Sequence, residues 1–374
     1  MNSKLKKNDE NLNWQTKQLG EICKITAGGD LDKNDFSLLP NTKYSYPIYS
    51  NGLKEHGLYG FCSMPRNEPN AVTITARGTI GFSAYRSTKF TPIGRLLVLY
   101  PESNIDSKFL SYFINGKLKF ISETTGVPQL TAPQASKYLI NFPKKINEQK
   151  AIAKVLSDVD LLINYLKKLI KKKTDIKRAV FETLFSQSRD FTKMIECKLG
   201  DVAKINMGQS PNSKFYNKIG NGLPLIQGNA DLSNRKTMKR VFTSSYPKIA
   251  DKGDIILTVR APVGDVAEAS EKICLGRGVC GLKSNYLILK FFFEYMEGRW
   301  DQFISGTTFD SINKTQLSQM DVIMPKNKDL DIYLYQFLEA QSEEILLVHE
   351  QLEKTKNFKK GMIQELLSGR KRLI

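Results

Sequence analysis

The sequence predicts an α+β fold: two mixed α/β globular domains separated by two long helices packed as an antiparallel coiled coil, with a pseudo-two-fold internal repeat. Three observations predict it. The second half of the 374-residue chain echoes the first at an offset of about 182 residues. Two proline-free stretches carry apolar residues at alternating spacings of three and four. Short β-rich runs in the remaining parts end in Gly- or Pro-containing turns. The boundaries follow: residues 1–146 form the first domain, beginning with a polar tail over 1–13. A spacer helix spans 147–187, a second domain 188–326 and a second long helix 327–374.

The repeat is carried by six blocks in the same order. Leu19-Gly20-Glu21-Ile22 returns as Leu199-Gly200-Asp201-Val202, in a segment that reads as strand. Thr75-Ala76-Arg77-Gly78-Thr79-Ile80-Gly81 returns as Thr258-Val259-Arg260-Ala261-Pro262-Val263-Gly264, and Gly94-Arg95 as Gly276-Arg277. Phe120-Ile121-Ser122 matches Phe303-Ile304-Ser305, and Ile140-Asn141-Phe142-Pro143 matches Val322-Ile323-Met324-Pro325. Lys177-Arg178 with Leu184-Phe185-Ser186 matches Lys359-Lys360 with Leu366-Leu367-Ser368. The period is far too long for a solenoid, so the chain is a duplicated unit of one globular part and one helical part.

The first helical seam runs Ile152, Val155, Val159, Leu162, Leu166, Leu169, Ile176 and Val180, with Lys173 in the gap. The second runs Leu334, Leu338, Ile345, Val348, Leu352, Met362 and Leu366, interrupted by Gln341, Thr355 and Lys359. At 1.5 Å per residue each helix is roughly 60 Å long, more than one core requires. Pairing the two stripes antiparallel hides both. In the globular parts, Ala71–Thr75 and Asp254–Val259 read as strands, and the stretches around Phe109–Ile121 and Leu287–Phe303 as helices.

The net charge is +18, from 56 Lys+Arg against 38 Asp+Glu. Cuts at Pro143, Asp190 and Pro325 give segments of +6, +6, +5 and +1, so the excess is no basic tail on a neutral enzyme. Such a spread favours a polyanionic partner; a Lys-rich proteome tuned for solubility is the alternative. The five cysteines form no CxxC, and neither a disulfide framework nor a zinc site is expected. The N-terminus lacks a signal-peptide apolar core, and the longest apolar stretch, Tyr286–Met296, is too short to span a bilayer. A cytoplasmic protein is expected.

Catalytic signatures are sparse. Gly276-Arg277-Gly278-Val279-Cys280-Gly281 matches GxGxxG but lies deep in the second repeat, and Gly94-Arg95-Leu96 lacks the glycines. It reads as a tight loop. Glu196-Cys197-Lys198, with Asp190 upstream, loosely matches a metal-nuclease E-x-K, of the sort chance supplies in a Lys-rich chain. No GxxxxGK[ST] loop and no N-P-P or D-P-P methyl-transfer tetrapeptide occurs, and His56 and His349 are the only histidines. The expectation is a binder with no catalytic and no metal-ligating residues.

Two basic domains on a rigid spacer can face duplex grooves that recur about every 34 Å. Because the copies have diverged, an asymmetric, split double-stranded DNA target is expected. Arg is the natural major-groove reader, since its fork matches guanine O6 and N7. Arg77, Arg86, Arg260 and Arg277 lie in or beside the loops after the β-rich runs and are the candidate DNA contacts; ion pairing or phosphate contact is the alternative for each.

The order of these blocks, given twice, resembles the DNA specificity subunit of Type I restriction–modification systems. The resemblance rests on Trp14 with Leu19-Gly20-Glu21-Ile22 and Ile25, on Arg77–Gly81, and on Pro143 leading into Glu148-Gln149-Lys150-Ala151-Ile152. Val155–Asp160 and the close from Lys360-Gly361-Met362 to Ser368-Gly369 complete it. It implies two target recognition domains and a subunit without an active site or cofactor of its own. Two methyltransferase subunits, binding S-adenosylmethionine, would dock on the helical regions, with Glu148, Gln149 and Ile152 as candidate partner-binding residues. Two motor-nuclease subunits can join. The chain departs from the pattern at Ala261-Pro262 and at Leu330-Asp331, which stands where Glu148-Gln149 stands in the first copy. An enzyme built on this scaffold, and a coiled-coil interaction protein or silent recognition cassette, are the competing readings.

Overall fold

The computed structural model describes residues 13–121, 128–186, 193–300 and 311–373. The second-copy block Phe303–Ser305, Ser122, Asp190 and most of the N-terminal polar tail lie outside the described residues. The chain forms two compact units, one of residues 1–167 with 350–374 and one of residues 168–349.

The first unit is built on a four-stranded antiparallel sheet in the order Cys23–Ala27, Leu97–Pro101, Ala71–Ile74, Ser83–Arg86. A smaller sheet orders Leu58–Cys62, Tyr46–Tyr49 and Thr91–Pro92. Helix Ser107–Lys117 buries Phe109, Leu110, Phe113 and Ile114 against the core, and the Asp106 carboxylate caps it by accepting from Phe109 N at 2.8 Å. The duplicated Leu-Gly-Glu-Ile block is a single helical turn, Leu19–Ile22, between two strands, not the strand expected. Leu19 and Ile22 are fully buried, and a Cβ at Gly20 would sit 2.7 Å from Ser136 Cβ. Strand Trp14–Gln18 pairs with Leu139–Pro143, joining the beginning of the domain to its end.

The second unit repeats this plan. Its sheet begins Ala203–Met207, Val279–Ser284, Ile255–Thr258, Val266–Glu268, and Met194–Lys198 pairs with Asp321–Pro325. Leu199–Val202 is again one helical turn, with a Cβ at Gly200 meeting Ser318 Cβ at 3.1 Å. Helix Leu289–Met296 buries Phe291, Phe292 and Phe293. Glu196 and Lys198 sit on an edge pair of strands, where Lys198 bonds Asp321 at 2.6 Å.

Two long helices, Ile146–Phe185 and Lys328–Leu366, each begin in one unit and end in the other. Gly369, at φ +72°, takes the left-handed conformation that stops the second one. In the first unit Asp160 bonds Lys359 at 2.6 Å and Glu148 bonds Arg372; in the second unit Lys173 pairs with Glu344 and Lys177 with Ser342. Rising numbers meet falling numbers, so within each unit the segments run antiparallel.

The second helix buries the expected stripe, with Leu338, Val348, Leu352 and Leu366 buried. The first helix departs from it. Ile152, Ala153, Leu156, Ile163, Leu166, Phe181 and Phe185 are buried, whereas Leu162 and Ile176 are 41% and 46% exposed. The helix has apolar side chains on two faces, and a three-four spacing fits either. Packing decides: Ile152, Ala153 and Leu156 join the core beside Phe109 and Phe113, while Phe181 and Phe185 meet Phe291 and Phe292. Among the described residues no helix is long and apolar enough to cross a membrane.

Candidate nucleic-acid interface

In each unit one threonine organises the arginine-bearing loop that follows the central strand. In the first, Thr75 Oγ1 donates to Thr79 O and accepts from Phe82 N at 2.9 Å, while Gly81 N donates to Thr75 O. In the second, Thr258 Oγ1 donates to Pro262 O at 2.8 Å and accepts from Asp265 N at 2.9 Å, while Gly264 N donates to Thr258 O. The closing glycines share a left-handed backbone, φ +95° at Gly81 and +98° at Gly264. Replacing Gly-Thr by Ala-Pro therefore leaves the loop's hydrogen bonding intact.

Each loop is clamped to a second arginine-bearing turn. In the first unit Asn51 does this with its side chain: Oδ1 accepts from Ala76 N and Nδ2 donates to Gly94 O, both at 2.7 Å. In the second the backbone does it, Val259 N donating to Gly278 O at 2.9 Å and Gly276 N to Ile226 O at 2.7 Å. Arg77 and Arg95 are thereby carried on adjoining loops in one unit, Arg260 and Arg277 in the other, and all four are exposed. Arg95 and Asn51 were missed by sequence reasoning; the repeat already placed Arg95 opposite Arg277.

The surroundings differ between the units. The Arg77 fork donates from Nε and Nη2 to Gln129 Oε1, at 3.0 and 2.8 Å. Arg260 and Arg277 line a cleft of about 200 Å³ with Gln227, Asn229, Gly228 and Gly278. Neither guanidinium has an ion-pair partner among the described residues. The glycines of the GxGxxG run are needed for close approach, since a Cβ at Gly278 would fall 2.1 Å from Gln227 O. The run continues into a strand, Val279–Ser284, that already contains Gly281, so the helix of a dinucleotide turn is missing.

Arg86 is a correction. It is only 5% exposed, its Nε donating to Thr73 Oγ1 at 2.9 Å and its Nη2 to His56 O at 2.7 Å, with the guanidinium 3.5 Å from the Tyr49 ring centre. Burial pulls its pKa down to about 10. It braces the loop at His56 from inside and offers DNA no surface.

The expected partner-binding residues are also interior. Glu148 is 1% exposed and forms a two-pronged ion pair with Arg372, at 2.5 and 2.6 Å. Gln149 is fully buried, accepting from Asp106 N at 2.8 Å and donating to Asn104 O and Pro143 O. Ile152 lies in the core. Asp331 does the work of Gln149 in the second unit, accepting from Leu287 N and Ile288 N at 2.9 and 3.0 Å. These side chains fasten each helix to its own domain, because a buried backbone N–H needs an acceptor. The outward face is instead carried by Leu161, Leu162, Tyr165 and Phe358 in the first unit and by Tyr333, Phe337 and Leu347 in the second, all exposed.

The profile of the Type I restriction modification DNA specificity domain matches residues 11–177 and 193–366. The MjaX type I restriction enzyme specificity subunit of Methanocaldococcus jannaschii is 30% identical, over 96% of this chain and 94% of the relative. The type I restriction–modification S subunit from M. genitalium superposes with a TM-score of 0.69 at 17% identity, covering 98% of this chain and 99% of that one. A chain from a solved type I R-M system gives 0.61 at 22% identity, covering 96% and 99%.

Proposed function

Because this chain belongs to the Type I restriction modification DNA specificity family, whose role is DNA sequence recognition, we propose that it is the non-catalytic subunit that binds an asymmetric bipartite duplex. It directs adenine methylation, and restriction, by partner subunits. One observation carries the reading: each unit holds two exposed arginines, one on a loop organised by the same threonine-centred bonding and one on a turn clamped to that loop, in surroundings that differ. Shared scaffolds bring both arginine pairs to a duplex, and different surroundings read different bases.

Residues 1–146 and 188–326 are the two target recognition domains, with Arg77 and Arg260 as DNA contacts joined by Arg95 and Arg277. Lysines across both domains and the first helix add phosphate attraction. Two methyltransferase subunits dock on the exposed apolar faces of the long helices, which a solvated strut would not need. They bring S-adenosylmethionine, and the chain itself takes no cofactor. Up to two motor-nuclease subunits complete the assembly in the cytoplasm.

Deleting the gene and mapping N6-methyladenine tests this. A split methylation motif with two unequal halves should vanish; an unchanged methylome refutes the proposal. Purified with its methyltransferase, the protein should bind its target with an affinity that falls steeply between 50 and 200 mM salt, by roughly 10³-fold or more.

A further inference from the structure

We propose that the cleft of the second unit is a base-reading site, in which Arg277, Arg260 and Gln227 recognise base edges in the major groove. This rests on the DNA-recognition reading above and deepens it: the half-site taken by the second domain contains at least one guanine.

The residues around the cleft leave these three side chains available. Gln227 is held through its backbone, its N–H donating to Asp231 Oδ2 at 2.8 Å, which leaves its exposed amide to project. The Asp231 charge is answered by Arg240, whose Nη1 lies 3.4 Å from Oδ1, so it does not draw in Arg260 or Arg277. Asn229 donates its amide to Asp265 and serves as wall. Gly276 and Gly278 let the two loops meet backbone to backbone, and that contact sets Gln227 beside Arg277.

The chemistry of this set selects base edges over phosphate. Phosphate oxygens only accept, so a carboxamide facing one uses its N–H donors and leaves its oxygen unanswered, whereas a base edge can answer both. An arginine fork matches the paired acceptors of guanine, and a glutamine amide matches the donor–acceptor pair of adenine. Both patterns are displayed in the major groove, whereas the minor groove offers a degenerate one. In the first unit Gln129 Oε1 already accepts from the Arg77 fork, so the groups presented beside that arginine differ. The two domains therefore read unequal halves.

The test uses the full chain assembled with its methyltransferase, acting on a random-sequence duplex library, with methylated sites read by sequencing. Non-specific duplex affinity is followed by salt titration. In Arg277→Ala and Arg277→Lys, discrimination at a guanine of one half-site should fall roughly tenfold to a hundredfold, the other half staying intact. Arg277→Lys should keep non-specific affinity, since it keeps the charge. Gln227→Ala should relax a position in the same half. A motif unchanged in every variant with uniformly weaker binding would overturn the inference and leave a phosphate clamp. A relaxed half without a G·C pair would overturn it too. A wild-type complex with no sequence preference sinks the inference together with the recognition reading beneath it.

Discussion

Lys177 offers the most direct test of how the second unit holds its long helices. Its ammonium lies 2.7 Å from Glu294 Oε2 and 2.8 Å from Ser342 Oγ, with the Phe181 and Phe291 ring centres at 5.1 and 5.3 Å. The two charged side chains are 13% and 9% exposed, so solvent does little to screen the pair. In Lys177→Met the apolar stem is retained and Ser342 still donates to Leu338 O at 2.8 Å. Glu294 is left as a buried charge without its partner. Breaking a buried pair this way costs about 3–5 kcal/mol. For a unit of this size that is a fall of roughly 10 °C in Tm. Replacing both residues, Lys177→Met with Glu294→Met, removes the unanswered charge and should return stability to within about 1 kcal/mol of the parent. Thermal and urea unfolding of the four proteins forms a double-mutant cycle. A single variant within about 1 kcal/mol of the parent, or a double variant whose loss equals the sum of the singles, would refute the buried-pair account.

Two further outcomes are expected. Arg372→Ala strands the buried Glu148 and should cost about 3 kcal/mol in the first unit, with faster amide exchange at the start of the first long helix; adding Glu148→Gln should recover part of the loss. Leu161→Asp with Tyr165→Asp should abolish co-purification of the methyltransferase while moving stability by less than about 1 kcal/mol, because both side chains already face solvent. Retained co-purification would place the docking surface elsewhere.

Much of the fold was legible because duplication doubles every local signal. The strand that closes each domain, the Leu-Gly block at Leu19 and Leu199, and the threonine of each arginine loop recur at matched positions, so one copy checks the other. Even there the Leu-Gly block misled: its glycine answers a short helix packed on it, a contact no local pattern displays. Legibility failed where one-dimensional spacing is degenerate. Leu162 and Leu156 both suit a helical stripe, and only the core beside Phe109 selects Leu156. Arg86 had the same loop-flanking position as Arg77, yet Tyr49, Thr73 and the His56 carbonyl enclose it.

The sequence by itself determined the family, the two-fold plan, the pair of long helices and a basic surface, since each is written in repeated order, periodicity or composition. The tertiary structure decided which arginines reach solvent, which face of the first helix is free, and that Glu148, Gln149 and Ile152 serve their own domain. The reason is physical. Periodicity and charge are properties of neighbours along the chain, whereas burial depends on residues far away in it, and the free energy of a charged or apolar side chain changes sign with that burial.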